Sequence, residues 1–398
     1  MNVVWVNPCF LHYRVPVYAM LDRLLEGVGG RLHVVFSAMR TPAAVCERIR
    51  EALGDRAIAL AGEKRLRLGA SEENFANVGI NIPYQQGLAK AIAGCKPDVI
   101  VTEGFFQWTP ASLWVKRRER VPMVIAYEKT AHTERNAPRL RTLYRKWVSR
   151  QTSAICCNGQ LSKDYCTSVL GVSPERIVTG AMAADTELLA AKCAAITPRE
   201  IEAARFRVGA VDRPVFLYVG RLIRLKGLRE MLLGWERYIA NGGEGSLVLV
   251  GDGPERLGLE SAVREKNLPG VIFLGRCDYD EIALHYAMAD VLVMPTLEDN
   301  WSLVVPEAMA CGKPILCSTF NGCWPELVQP GVNGWVFDPY NAQELAQLMG
   351  FCAIDRHRLI AMGHHSRRIV ARFTPARAAE AMLTACEIAA HEGGNEHV

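Results

Sequence analysis

Two series of short, almost uninterrupted apolar runs set the strongest limit on what this chain folds into. The first comprises "NVVWV" (2–6), "LHVVF" (32–36), "DVIVTEG" (98–104), "PMVIAY" (122–127) and "SAICCN" (153–158). Runs this short and this rich in Val and Ile, without polar alternation, suit strands buried on both faces, the state of a parallel sheet covered by helices. Intervening stretches such as Val15 to Leu25 and Pro138 to Arg150 read as those helices. After "IVTGAMAADT" (177–186) an Ala-rich, polar connector runs to about Asp212. A second series follows: "PVFLYVG" (214–220), "SLVLVGDG" (246–253), "GVIFLG" (270–275), "DVLVMP" (290–295) and "KPILC" (313–317). The fold class is therefore α/β, with two Rossmann-like, doubly wound halves. A chain of 398 residues also exceeds the size at which single cores stop growing. We expect an N-terminal domain over 1–184, a second over 185–373 and a ligand cleft between them.

Composition narrows the class. Half the residues are hydrophobic and 22% are charged, and no run reaches the roughly 18 apolar residues of a membrane span. The start "MNVVWVNP" lacks a basic and apolar leader, so it reads as a buried strand of a cytoplasmic protein. The thirteen cysteines form no CxxC, and Cys156, Cys157, Cys311 and Cys317 sit among apolar neighbours, which suits free core thiols. No HxxxH occurs, and His364 and His365 read as a surface helical pair, so no protein-bound metal is expected. Charge is unevenly spread: 116–150 holds eleven Lys or Arg against three Glu, a net of +8. A solvated helical face accounts for this, and so does a surface for anionic lipid headgroups or a phosphorylated acceptor. Nucleic acid is not expected, because no recognisable binding module accompanies the charge. The final "EGGNEHV" reads as disordered.

Loops at the carboxyl ends of parallel strands are where ligands bind in such sheets. "VGRLIRLKGL" (219–228) follows a strand and opens a helix, so Arg221 and Lys226 can point at one anion, and together they suit a diphosphate. "VGDGPE" (250–255) has Arg256 where a dinucleotide fingerprint needs its third glycine, and no GxxxxGK[ST] occurs, so no nicotinamide or flavin cofactor is expected. "DYD" (278–280) could be a metal-binding carboxylate pair, but its place before "EIALHYAMAD" makes Asp278 a helix N-cap. In "LEDNWSLVVPEAMACGKPI" (297–315), Asp299 and Glu307 are eight positions apart, about 12 Å along a helix. A glycosidase needs its carboxylates about 5 Å apart to retain and about 6.5 to 9.5 Å apart to invert, so this is no hydrolytic pair. The two acids suit opposite ends of one long ligand, with the backbone from Asn300 to Leu303 facing a charged middle. Glu298 reads as an ordinary loop charge.

In order and spacing, "GRLIRLKG" (220–227), "LVGDGPE" (249–255), "FLGRCDYDEIALHYAMADVLVMPTLED" (273–299), "DNWSLVVPEAMACGKPIL" (299–316) and "NGCWPELVQPGVNGWVFDP" (321–339) resemble retaining glycosyltransferases of the GT-B fold, specifically glycosyltransferase family 4, of the polysaccharide- and lipopolysaccharide-assembly type. The likeness covers roughly 120 residues of the second half and only the outline of the first. It implies that Arg221 and Lys226 grip the donor diphosphate, with Gly220 heading their loop, and that Glu307, second acid of the E-x7-E motif, holds the ribose. Asp299 matches the first acid, which contacts the transferred sugar; here it is Asp, one methylene shorter than Glu. Where many members read E-G-F-G, this chain reads Asp299-Asn300-Trp301-Ser302, and backbone donation from Trp301, Ser302 and Leu303 is implied. Gly275, Arg276 and Cys277 would lie against the base. In the first half, "NPCFLHYRVPVY" (7–18) takes the place of a glycine-rich loop, and His12 and Arg14 would line the phosphate or acceptor side. His132, in "YEKTAHTERN" (127–136), matches a donor-sugar histidine, and Glu103 faces the acceptor.

The resemblance further implies same-face transfer from a nucleotide-diphosphate sugar to a glycan or lipid-linked hydroxyl, with no metal or other cofactor. A C-terminal helix over 374–398 would cross back onto the first domain. A nucleotide-sugar epimerase or hydrolase on the same scaffold would keep the nucleotide grip without an acceptor, and a silent sugar-nucleotide sensor would keep binding alone. Both remain open on sequence. The protein is expected in the cytoplasm, with the basic 116–150 stretch making a peripheral contact to the anionic inner membrane surface.

Overall fold

The computed structural model describes residues 1–8, 13–68, 80–183, 186–278 and 281–395. The chain divides into two compact units, Met1–Ala183 with Phe373–Val398, and Ala184–Arg372.

Among the described residues, unit 1 is built on a seven-stranded parallel sheet: β1 (Asn2–Asn7), β2 (Arg31–Ser37), β3 (Ala57–Leu60), β6 (Val99–Glu103), β7 (Met123–Tyr127), β8 (Ala154–Cys157) and β9 (Ile177–Thr179), in the order β3-β2-β1-β6-β7-β8-β9. A separate antiparallel pair, β4 (Lys64–Leu68) and β5 (Ile80–Tyr84), lies outside it. The central strands alternate their side chains between two cores. Val3, Trp5, Val99 and Val101 face one helix layer, and Val4, Val6, Ile100 and Ile125 face the other. Burial on both faces explains why these strands read as unbroken apolar runs. The Pro375–Asn395 helix packs on the Arg14–Gly27 helix and on the sheet. Its Ala378, Met382, Ala385 and Ala389 recur at helical spacing, and the small volumes of the three alanines let the backbones approach closely.

Unit 2 carries a six-stranded parallel sheet: β10 (Val215–Val219), β11 (Ser246–Val250), β12 (Val271–Gly275), β13 (Val291–Met294), β14 (Ile315–Ser318) and β15 (Gly334–Phe337), in the order β12-β11-β10-β13-β14-β15. The order reverses at β10, which leaves a crevice beyond the carboxyl ends of β10, β11 and β13.

Four expectations need correction. The Ala-rich connector from 187 to about Asp212 is largely helical, holding the helices Glu187–Ala195 and Pro198–Arg207, and the segment before it opens with edge strand β9. Alanine favours helix, Thr197 and Glu200 form a capping box, and buried Arg205 donates to the Met288 carbonyl at 2.7 Å and pairs with Asp290 at 3.0 Å. Strands β3, β4, β5 and β15 were not foreseen, being short or polar on one face. Asp278 does not cap its helix by its side chain: that helix begins at Ile282, and it is the Asp278 carbonyl that accepts from the Glu281 and Ile282 N–H groups. Glu298 is buried, not an exposed loop charge. The twelve described cysteines are free thiols, most of them buried.

Candidate functional site

A cavity of about 590 Å³ lies at the carboxyl ends of β10, β11 and β12 in unit 2. Its wall includes Gly220 and Arg221 from the loop after β10, Asp252 after β11, Arg276 and Cys277 after β12, and Glu307 from the Val304–Ala310 helix. The sequence places glycines where these loops must touch. A Cβ on Gly251 would stand 1.9 Å from the Gly220 carbonyl oxygen, and the residue holds φ +136°. The loops are then joined by backbone bonds: Gly220 N–H to Val250 O at 3.0 Å, Gly251 N–H to Gly275 O at 2.7 Å and Leu222 N–H to Asp252 O at 3.0 Å. Arg221 is exposed on this rim, while its carbonyl accepts from the buried Tyr218 hydroxyl at 2.9 Å. A cation on a polar, backbone-lined rim of a cavity this size suits an anionic ligand.

Lys226 belongs to the same loop, and a second set of contacts fixes it. The Leu225 carbonyl accepts from Leu297 N–H at 2.8 Å and from the Thr296 hydroxyl at 3.0 Å, which joins the β10 loop to the one after β13. The Lys226 ammonium thereby meets Asp299 in a short, charge-assisted hydrogen bond. Asp299 also accepts from the Ser302 hydroxyl at 2.6 Å and the Trp301 N–H at 3.1 Å. Burial by itself would raise its carboxyl pKa. The Lys226 charge and the other donors outweigh burial and hold it below the usual range.

In this structure two of the N–H groups expected to meet a ligand, those of Trp301 and Ser302, are engaged within the protein. The Trp301 N–H turns back onto Asp299, as short Asp side chains favour. The Ser302 N–H points to Asn321 Oδ1 at 3.4 Å, and the side chains of Trp301 and Ser302 are buried. Leu303 is the helix N-cap, and Asn300 is half-buried. Asp299 and Glu307 are not on one helix, since the helix begins only at Val304.

Glu307 accepts from the Tyr286 hydroxyl at 2.9 Å. The cavity wall keeps water from the carboxyl and pushes its pKa up to about 7, against the opposing effect of that hydrogen bond. Burial also raises the Cys277 thiol. Gly275 holds φ +78° under the Arg256 guanidinium.

Unit 1 gathers a second group. Arg14 is buried, donates to the Ala181 carbonyl, and lies 3.7 Å from Glu103, which also accepts from the Trp5 indole at 2.9 Å. Burial raises the Glu103 pKa and the Arg14 charge opposes the rise. Glu103 borders a cavity of about 140 Å³ with Phe106, Gln107, Tyr127 and Lys129. His132 is half-buried in the turn after β7, which is locked by reciprocal bonds between Thr130 and Thr133 at 3.0 and 3.2 Å. His12 lies outside the described residues.

Three residues with evident site roles escaped the sequence reading. Asn321 donates to the Ser302 hydroxyl at 2.9 Å and braces the Asp299 loop. Tyr286 and Asp252 reach the site from segments whose tertiary neighbours no spacing discloses.

Residues 18–188 match the family described as Glycosyltransferase Family 4, and residues 200–363 match Glycosyl transferases group 1. The chain is 26% identical over 310 residues to a D-inositol 3-phosphate glycosyltransferase of Corynebacterium kroppenstedtii, covering 72% of this chain and 65% of that one. It is 30% identical over 174 residues to a GDP-mannose-dependent alpha-(1-6)-phosphatidylinositol monomannoside mannosyltransferase of Mycobacterium tuberculosis, covering 42% and 44%. Alignment to an alpha-D-kanosaminyltransferase of Streptomyces kanamyceticus, 29% identical, spans 36% of this chain and 37% of that one. The chain thus spans less than two thirds of the length of these curated relatives. In fold it is similar to HepE of Anabaena in complex with UDP, with TM-score 0.73, 18% identity and coverage of 96% and 99%. It is also similar to sucrose-phosphate synthase of Thermosynechococcus elongatus, with TM-score 0.64, 20% identity and coverage of 96% and 98%.

Proposed function

This chain belongs to the GT-B glycosyltransferases of family 4, and from that premise we propose that it moves a sugar from a nucleotide-diphosphate donor to a hydroxyl of a glycan or lipid-linked acceptor, with retention at the anomeric carbon. The observation that carries the reading is the placing of Arg221 and Glu307 on one cavity at the strand ends, with Lys226 on the Arg221 loop. HepE binds UDP, and the relatives' names include GDP-mannose dependence, so a nucleoside diphosphate is the ligand class these residues would meet.

Arg221 and Lys226 take the diphosphate, Glu307 accepts from the ribose hydroxyls, and the backbone of Arg276 and Cys277 borders the base. The acceptor oxygen bonds to the anomeric carbon as the bond from that carbon to the diphosphate oxygen breaks. The acceptor proton passes to the leaving phosphate, yielding the glycosylated acceptor and a nucleoside diphosphate. Two cations, Arg221 and the Asp299-held Lys226, stabilise the charge developing on the leaving group, so no metal cofactor is called for. Asp299 holds Lys226 in position, and Glu103 and His132 belong to the acceptor and sugar side in unit 1. The setting is assembly of cell-surface polysaccharide or lipopolysaccharide at the cytoplasmic face of the membrane.

The test is release of nucleoside diphosphate from a panel of nucleotide sugars, with and without a lipid-linked acceptor and in EDTA. We expect acceptor-dependent release that survives EDTA and falls at least about a hundredfold in Arg221→Ala and Lys226→Ala. Sugar isomers or free sugar formed equally well without acceptor would replace transfer by an epimerase or hydrolase, and binding without turnover would leave a sensor.

A further inference from the structure

We propose that the face of unit 1 formed by the helices Thr109–Glu119 and Arg139–Arg150 docks on an anionic phospholipid surface through inserted apolar side chains. Net charge by itself would equally suit a solvated helix. What distinguishes this face is that four large apolar side chains stand out from it: Trp114 is 51% exposed, Leu140 80%, Leu143 60% and Trp147 42%. Leu140, Leu143 and Trp147 follow the i, i+3, i+7 spacing of one helical stripe. The opposite stripe is anchored inward: Val148 and Ser149 are buried, and Arg145 pairs with Glu134 at 2.5 Å and donates to the Tyr165 hydroxyl at 3.2 Å.

The two helices present a continuous surface. The Arg117 guanidinium of one lies 5.3 Å over the Trp147 ring of the other, and Arg118 lies 5.2 Å over Trp114. Arg117, Arg118, Arg120, Arg139 and Arg150 are exposed around the stripe. Tryptophan at the headgroup level, leucine below it and arginine on the phosphates is the division of labour expected of a helix lying in a bilayer interface. Nothing larger is implied, because among the described residues no helix is long and apolar enough to cross a membrane. An acidic protein would match the arginines but would need a separate apolar groove for the two leucines, whereas a bilayer interface offers both at once. The inference goes beyond the transferase reading and stands without it, because the face shares no residue with the unit 2 cavity and vesicle binding is measured without turnover.

The experiment is co-sedimentation of the full chain with phosphatidylcholine vesicles with and without phosphatidylglycerol. Binding is expected to require phosphatidylglycerol and to weaken as salt rises from about 0.15 to about 1 M, where the Debye length falls from about 8 to about 3 Å. Leu140→Ser with Leu143→Ser should weaken partition on the order of tenfold or more, and Arg117→Glu with Arg118→Glu should abolish the phosphatidylglycerol preference. Unchanged thermal unfolding of both variants shows that the fold is intact. Equal sedimentation with either vesicle, or undiminished binding by the serine variant, overturns the proposal. So does lipid-independent self-association that the serine variant abolishes, which would assign the face to a second copy of this chain.

Discussion

Glu307 carries the sharpest conflict between stability and function in unit 2. Burial raises its folded pKa to about 7, from an ordinary 4.5. The folded state therefore favours the neutral acid. That contribution is complete below about pH 4.5 and is lost as pH rises through about 7, amounting to roughly 3 kcal/mol at the limit. Glu307→Gln should leave the melting temperature near that of the parent at pH 5 and raise it at pH 8. The same substitution should weaken nucleoside diphosphate binding, since the amide replaces one of two charged acceptor oxygens by an NH2 donor and leaves a single neutral acceptor. The parent's own affinity should increase with pH through about 7, as read by calorimetry; a pH-independent affinity lost in Glu307→Gln would show that ionisation is irrelevant. The residue types of this site were legible in sequence. The two acids, the two cations and their order were all marked, but that Lys226 is held by Asp299 was not, because the ion pair joins residues from two different strand ends.

At the scale of elements, the site rests on how closely the loops after β10, β11 and β13 approach one another. Gly251 stands where any side chain would drive into the Gly220 carbonyl at a backbone angle that L-residues rarely adopt. Gly251→Ala should therefore cost about 2 kcal/mol or more in denaturant unfolding and reduce nucleotide binding with it. Gly350 makes the contrast. It lies inside the Ala342–Ile354 helix with nothing within 4 Å of an added Cβ, so Gly350→Ala should stabilise by about 0.5 to 1 kcal/mol and leave binding unchanged. Both glycines look alike in the sequence, and tertiary packing separates them. Element type was read best where burial on both faces left only apolar residues, as in β1, β6 and β10. It was read worst at β3, β4 and β9, which are short edge or separate strands without burial on both faces and therefore lack that signature.

At the scale of the whole molecule, the chain returns to unit 1 after completing unit 2, and its Pro375–Asn395 helix buries Ala378, Met382, Ala385 and Ala389 in the core of the first sheet. Truncation at Phe373 should expose that core. We expect a protein that loses cooperative unfolding of unit 1 and binds a hydrophobic dye, while nucleoside diphosphate still raises the stability of unit 2, as seen in thermal unfolding with and without ligand. By itself the sequence determined the α/β class, the two doubly wound sheets and the residue types that line the unit 2 cavity. Those features follow from local rules: period, burial on both faces, and loops at strand ends. Only the tertiary structure decided that the Trp301 N–H turns back onto Asp299, that Asn321 and Tyr286 brace the two acids, that Arg14 lies beside Glu103, and that two leucines and two tryptophans remain uncovered on a basic face. Each of these depends on which distant segment arrives beside a residue, and a one-dimensional pattern of polarity does not encode that neighbour.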